Sequence, residues 1–239
     1  MALVEACLNG NRRPGAHPAL PLTAVDLGAA ARAAVDAGAF AVHVHPRRAD
    51  GAETLEPGPI GEAALAIRAA CPDVPLGFST GAWIEPGGPE RIRELVAAWD
   101  ARPDFVSVNL HEPGAPELIE LLGELGIGVE AGVTNALSAR RLVDAGLAEG
   151  CLRVLVEPRE REVAAALVTV AAVDAVLDEA AIGLPRLYHG HDATAWPVIE
   201  ATLARGRDVR VGLEDVLVLP DGSPAPDTAA LVAAALTMR

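Results

Sequence analysis

The feature that most restricts the fold of this chain is an alternation sustained from one end to the other. Brief apolar runs are each followed by an Ala- and Leu-rich stretch of helical period, with no Ser/Pro-rich linker to divide them. Eight such units are present. The runs read as strands over Leu3–Leu8, Ala39–His45, Pro75–Ser79, Phe105–Asn109, Gly128–Glu130, Cys151–Val156, Pro185–His189 and Asp208–Gly212. Each is short and mostly apolar, as parallel strands covered on both faces tend to be. Helices are predicted over Asp26–Ala37, Pro59–Ala70, Pro89–Ala98, Ala115–Leu125, Asn135–Ala145, Glu160–Ala180, Thr194–Ala204 and Pro226–Leu236. Several open with Pro in the first turn, where the missing N–H leaves no bond unmade. Asp36-Ala-Gly38, Leu125-Gly126 and Asp144-Ala-Gly146 supply glycine for a left-handed cap before the next strand. Eight βα units in 239 residues fit an α/β fold of the (β/α)8 TIM-barrel type, a single catalytic domain over residues 1–239, since such barrels run to about 250 residues. A doubly wound open sheet is the alternative.

Aromatic residues make up only 3% of the chain against 51% hydrophobic, so the core must come from small aliphatic side chains in many closely packed elements. Lys and Arg number 19 against 33 Asp and Glu, a net charge of −14. Such a surface repels phosphate backbones, and no nucleic-acid partner is expected. No run approaches the roughly 18 apolar residues of a membrane span. The opening MALVEACLNGNRRPG lacks the layout of a signal peptide. A cytoplasmic protein with no membrane partner is expected. Cys7, Cys71 and Cys151 are odd in number and form no C-x-x-C pair, so they read as small buried apolar residues rather than a disulfide framework or thiolate zinc site.

The Gly/Pro-rich stretches Asn9–Pro21, Pro46–Pro59, Gly81–Pro89, Glu112–Pro116 and Leu219–Pro226 all follow strands. In a barrel they form the rim where chemistry sits. Polar residues at the strand ends beneath them are Asn9, His43, His45, Ser79, Thr80, Asn109, His111, Glu130, Glu157, His189, His191, Glu214 and Asp215. Four of the six histidines fall in two His-x-His pairs. In His43-Val44-His45 the residues i and i+2 share a face, so both imidazoles can converge on one ion. Glu214 is the natural third ligand, because the last strand of a closed barrel lies two places from the second. Two neutral nitrogens and a carboxylate suit zinc, with manganese or iron as alternatives. The plainer reading is a pair of interior histidines bonded to carboxylates.

His189-Gly190-His191 has the same spacing, but the glycine predicts a bend that parts the two side chains, and a structural role is the favoured reading. Asp215 follows Glu214 directly, so one can bind metal while the other addresses the substrate. Arg210 could lie under Asp215 and hold it ionised as a base; otherwise it is a solvated strand-edge charge. Ser79-Thr80-Gly81 offers hydroxyls and N–H groups to a carboxylate, or is a plain turn. Asn9-Gly10-Asn11-Arg12-Arg13 could bind an anion, although paired arginines in loops are usually just solvated.

Taken in order, these landmarks resemble the β-keto acid cleavage enzymes, the family typified by 3-keto-5-aminohexanoate cleavage enzyme. They are Asn9-Gly10, Ala37-Gly38-Ala39 leading into His43-Val44-His45-Pro46-Arg47, Ser79-Thr80-Gly81, Ser107-Val108-Asn109, the strand ending at Glu130, and Arg210-Val211-Gly212-Leu213-Glu214-Asp215. The likeness covers nearly the whole chain. It implies a (β/α)8 enzyme with a divalent metal, normally Zn2+, on His43, His45 and Glu214. A small β-keto acid would react with a CoA thioester, usually acetyl-CoA, in a retro-Claisen exchange that gives acetoacetate and a new CoA ester. Asp215 would be the base, assisted by Arg210, with Glu130 a further catalytic residue. Ser79, Thr80 and Gly81, with Ser107 and Asn109, would hold the substrate, and a homo-oligomer is implied. Asn11-Arg12 stands where some members carry an acidic residue, and Tyr188–Asp192 differs from the glycine-rich segment expected there. A rival is a hydrolase of the amidohydrolase kind, but that wants the pair on the first strand and histidines on the fifth and sixth, which here end in Glu130 and Glu157. A barrel that binds a small acid without turnover is the rival from another class.

Overall fold

Short parallel strands need a crossover between them, and each Ala/Leu-rich segment of this chain supplies one as a helix. In the computed structural model, which describes residues 2–239, the strands are β1 (Val4–Cys7), β2 (Ala41–Val44), β3 (Leu76–Ser79), β4 (Phe105–Asn109), β5 (Gly128–Val133), β6 (Arg153–Val156), β7 (Arg186–Tyr188) and β8 (Asp208–Val211). The helices are α1 (Ala24–Asp36), α2 (Pro57–Ala70), α3 (Gly88–Ala97), α4 (Ala115–Glu124), α5 (Ala136–Asp144), α6 (Val163–Glu179), α7 (Ala195–Leu203) and α8 (Thr228–Thr237). Each strand pairs with the next, and β8 closes on β1 through Val4 opposite Val209 and Glu5 opposite Arg210. The chain is a closed (β/α)8 barrel, as the eight alternations predicted. No helix among the described residues is long and apolar enough to cross a membrane.

Helix starts follow local chemistry. Thr23 and Asn135 cap α1 and α5 with reciprocal side-chain and backbone bonds to Asp26 and Ser138, satisfying N–H groups that the first turn leaves orphaned. The outward strand residues and the helices enclose an aliphatic layer that includes Leu27, Ile60, Ile67, Leu122 and Leu142, with Trp99 the largest buried side chain.

The barrel interior holds a buried ion network. Arg153 enters from β6 and lies between the rings of Phe40 and Phe105, 5.1 and 5.0 Å from their centroids. It donates from Nε to Glu130 (2.5 Å) and from Nη2 to Glu5 (2.9 Å). This corrects the expectation for Glu130. The strand predicted to end there runs on to Val133, because Gly132 is no terminator: a Cβ at that position would stand 2.8 Å from the Asn109 side chain. Glu130 is therefore wholly buried below the rim, as the counter-ion of Arg153 rather than a group facing substrate.

Candidate metal centre and acid–base site

The cleft at the carboxyl ends of the strands is built from alternate residues that project inward. His43 is the third residue of β2 and His45 the first beyond it, and their rings stand edge to face with centroids 5.3 Å apart. Glu214 reaches over from the turn after β8, its Oε1 3.5 Å from His45 Nε2. One donor atom from each of the three lies within 4.8 Å of the others. That turn is possible because β8 exits hard against β1, where a Cβ at Gly212 would sit 1.8 Å from the Cys7 carbonyl oxygen.

The histidines are held in place by their neighbours. Asn9 bonds both the N–H and the C=O of His45, each at 2.9 Å. The His45 Nδ1 is 2.5 Å from Glu53 Oε1, and Glu53 in turn accepts from Trp83 Nε1 at 3.2 Å. A carboxylate on one ring nitrogen leaves the other aimed into the cleft, the arrangement seen around metal-ligating histidines. Burial by itself would lower the His45 pKa, but the Glu214 and Glu53 carboxylates outweigh it and raise it to about 9. Burial, reinforced by the Arg210 charge, holds His43 well below its ordinary value and so neutral. For Glu214 burial works against ionisation, yet Arg210 and His45 keep it ionised, well below the usual carboxylate range. Both ring nitrogens of His43 and Oε2 of Glu214 are buried with no hydrogen-bond partner. Orphaned polar atoms are costly, and two imidazoles plus a carboxylate form a donor set that fits a divalent cation of the zinc class.

Arg210 is 3% exposed, which removes the reading of a solvated charge. Its Nη2 bridges Glu214 Oε1 at 2.5 Å and Asp215 Oδ1 at 3.2 Å. Asp215 lies behind Arg210 and does not itself line the cleft. Burial would raise its pKa, but Arg210 and His189 more than compensate and keep it ionised. Cys7 is more than an apolar filler, since its thiol donates to Asp215 Oδ2 at 2.7 Å. Burial and that carboxylate push the thiol pKa up, so it stays protonated. Arg12 is not a free anion receptor either. It donates to the backbone oxygens of Glu214 and Asp215, each at 3.0 Å, and so secures the turn that carries both.

Ser79, Ser107 and Asn109 line the cleft with Asn11, Leu155 and Arg159. Thr80 does not; its hydroxyl donates to the Ser107 carbonyl at 2.7 Å and ties β3 to β4. Gly81 lies against the Trp83 ring, which makes it a seat for that indole rather than a ligand for substrate. The second histidine pair converges instead of parting. His189 and His191 rings are 5.0 Å apart, because the ladder continues past β7 (His189 N–H to Val156 C=O, 3.2 Å) and the i, i+2 rule still applies. Gly190 serves a close approach: a Cβ there would be 2.6 Å from the Thr194 carbonyl oxygen. Among residues that the sequence reading missed, Glu5 carried a usable signal, a lone charge inside an apolar strand. Glu53 and Trp83 carried none, because they reach His45 only through the folded loops.

Glu5 has a measurable consequence. Burial, then the Glu130 charge, raises its pKa well above the ordinary value, so the folded chain keeps a proton there. From the ordinary value of about 4.3 up to the raised one, the folded state binds one more proton than the unfolded state, so stability falls as pH rises through that window. Glu5→Gln mimics the protonated acid, and its stability should not show that decline. Denaturant unfolding from about pH 5 to pH 8 reads this; parallel curves for the two proteins would refute it. Glu157 bends the curve the other way only at more acid pH. Burial opposes its ionisation, but the His191 bond and the neighbouring charges lower its pKa to about 2, so its contribution is present above the ordinary value and lost as pH falls toward 2.

Solved structures share this architecture. ObcA in complex with oxaloacetate superposes with a TM-score of 0.71 at 16% identity, covering 90% of this chain and 62% of that one. The ternary complex of ObcA with a C4-CoA adduct and oxalate gives 0.69, also at 16%. For 3-dehydroquinate dehydratase from Geobacillus kaustophilus the TM-score is 0.64 at 15% identity, covering 99% and 92%. The chain thus spans 62% of the length of ObcA, and these likenesses define the fold class, a (β/α)8 barrel. The sequence profile of the beta-keto acid cleavage enzymes matches residues 2–119 and 117–239, and the chain belongs to that family. The 3-oxoadipate:acetyl-CoA acetyltransferase of Cupriavidus necator is 28% identical over 241 residues, 90% of this chain and 80% of that protein.

Proposed function

We propose that this chain is a divalent-metal enzyme, zinc-dependent in its native form, that exchanges acyl groups between a β-keto acid and acetyl-CoA to give acetoacetate and a new acyl-CoA. One observation carries the reading: the donor set of His43, His45 and Glu214 shares Arg210 with an ionised Asp215, which puts a Lewis-acid site beside a base. The relative named for 3-oxoadipate and acetyl-CoA, and the ObcA structures with oxaloacetate and a CoA adduct, support a short keto diacid and a CoA thioester as substrates.

A cation on the three ligands would polarise the keto oxygen and stabilise enolate charge. Ser79, Ser107 and Asn109 offer hydrogen bonds to the substrate carboxylate at the cleft wall. Asp215 does not touch the cleft, so a bridging water would carry the proton released from C2 of the keto acid to that carboxylate, and Arg210 keeps it ionised between turnovers. The C2 carbanion adds to the thioester carbonyl and the CoA thiolate leaves. The thiolate then adds to the original keto carbon, the bond between that carbon and C2 breaks, and C2 recovers the proton as acetoacetate departs. Metal-loaded protein incubated with acetyl-CoA and a panel of 3-oxo acids should form acetoacetate and the matching acyl-CoA, read by mass spectrometry. A protein that binds these acids yet forms no acyl-CoA from any of them would be a binding barrel.

A further inference from the structure

The barrel mouth carries a second constellation with the same donor set as the first. Glu157 follows β6, and His189 and His191 follow β7; one donor atom from each lies within 4.8 Å of the others. We propose that these three residues form a second divalent-cation site, separate from the one on His43, His45 and Glu214.

The decisive group is His189. It is wholly buried, and its Nε2 has no hydrogen-bond partner. Its Nδ1 is 3.2 Å from Asp215 Oδ1, so Asp215 fixes the ring as Glu53 fixes His45, leaving Nε2 aimed at the carboxylate of Glu157. The gap from Nε2 to Glu157 Oε2 is 3.9 Å, too long for a hydrogen bond. It is close to the edge of about 3.4 Å between two ligands of a tetrahedral ion with bonds of about 2.1 Å. A neutral nitrogen and a carboxylate oxygen facing each other across such a gap, one of them unsatisfied, leave room for a cation rather than for direct contact.

His191 completes the set. Its Nε2 is 2.7 Å from Glu157 Oε1 and its Nδ1 is 3.7 Å from Asp215 Oδ1. Two cations also face the set: Arg159, whose Nε lies 3.1 Å from Glu157 Oε1 and whose side chain is 51% exposed and free to swing outward, and Arg210, whose charge is already engaged by Glu214 and Asp215. Two imidazoles and one carboxylate select an ion of the zinc class over magnesium or calcium, and Glu157 and His191 border the cleft, so an ion held there would be within reach of it. The two clusters use different strands, so each can be emptied without removing a ligand from the other.

Elemental analysis after equilibration with Zn2+ and dialysis tests this. The wild type should retain about two equivalents, His191→Gln and His43→Gln about one each, and the double variant almost none. Cobalt provides an independent readout: His43→Gln titrated with Co2+ should still develop the visible absorption of a low-coordinate cobalt site, and the double variant should not. His189→Gln is the substitute should His191→Gln fail to fold by circular dichroism. The proposal is overturned by a wild type that holds one equivalent, lost in His43→Gln and untouched in His191→Gln, or by a wild type that holds none. Metal is counted without turnover, so an inactive protein with two equivalents would refute the acyl exchange and leave this site standing.

Discussion

Asp215→Asn should lower turnover by about 10²- to 10⁴-fold, the range that a positioned general base contributes, while leaving the ion on His43, His45 and Glu214 in place. The substitution preserves volume in a fully packed place, and Arg210 keeps its 2.5 Å bond to Glu214, so the metal ligands stay anchored. What disappears is the negative charge that accepts the proton. The Cys7 thiol and the Arg210 guanidinium, both donors to this carboxylate, would face an amide that can accept only through one oxygen. Acyl-CoA formation measured beside zinc content separates loss of the base from loss of the ion. A rate within a few-fold of wild type would place the base elsewhere.

His43→Ala should remove one equivalent of metal and take acyl-CoA formation to background, as exhaustive chelation of the wild type should also do. His43 has no hydrogen bond from either ring nitrogen, so apart from its packing the folded protein draws on this imidazole only through an ion. That makes a second measurement informative. In metal-free protein the substitution trades the desolvation of two unsatisfied nitrogens, about 1–3 kcal/mol each, against the cavity left behind, and the melting temperature should move by only a few degrees. In metal-loaded protein the wild type alone gains from ligand binding, so the two melting curves should separate there. A variant that keeps its full metal content would remove His43 from the ligand set.

Much of this arrangement could be read along the chain. The strand count, the barrel and the pairing of His43 with His45 all follow from periodicities of two and about 3.6 residues, which are local properties. Failures arose where a residue meant one thing locally and another in contact. The fifth strand reads as ending at Glu130, yet it continues through Gly132, whose missing side chain leaves the space that Asn109 occupies. Thr80 reads as a hydroxyl at a strand end, yet its bond to the Ser107 carbonyl is spent on the barrel wall. Glu130 reads as a rim carboxylate, and Arg153 draws it into the interior.

The amino-acid order by itself determined which side chains could reach the barrel mouth, because each strand is covalently continuous and alternates its faces. Only the tertiary structure decided what each of them does there. Glu53 and His45 meet across a loop, Cys7 and Asp215 across the seam between first and last strands, and Glu157 and His191 between neighbouring strands. Proton affinity and metal affinity depend on distance and burial, and neither is defined until the ring of strands closes and excludes water.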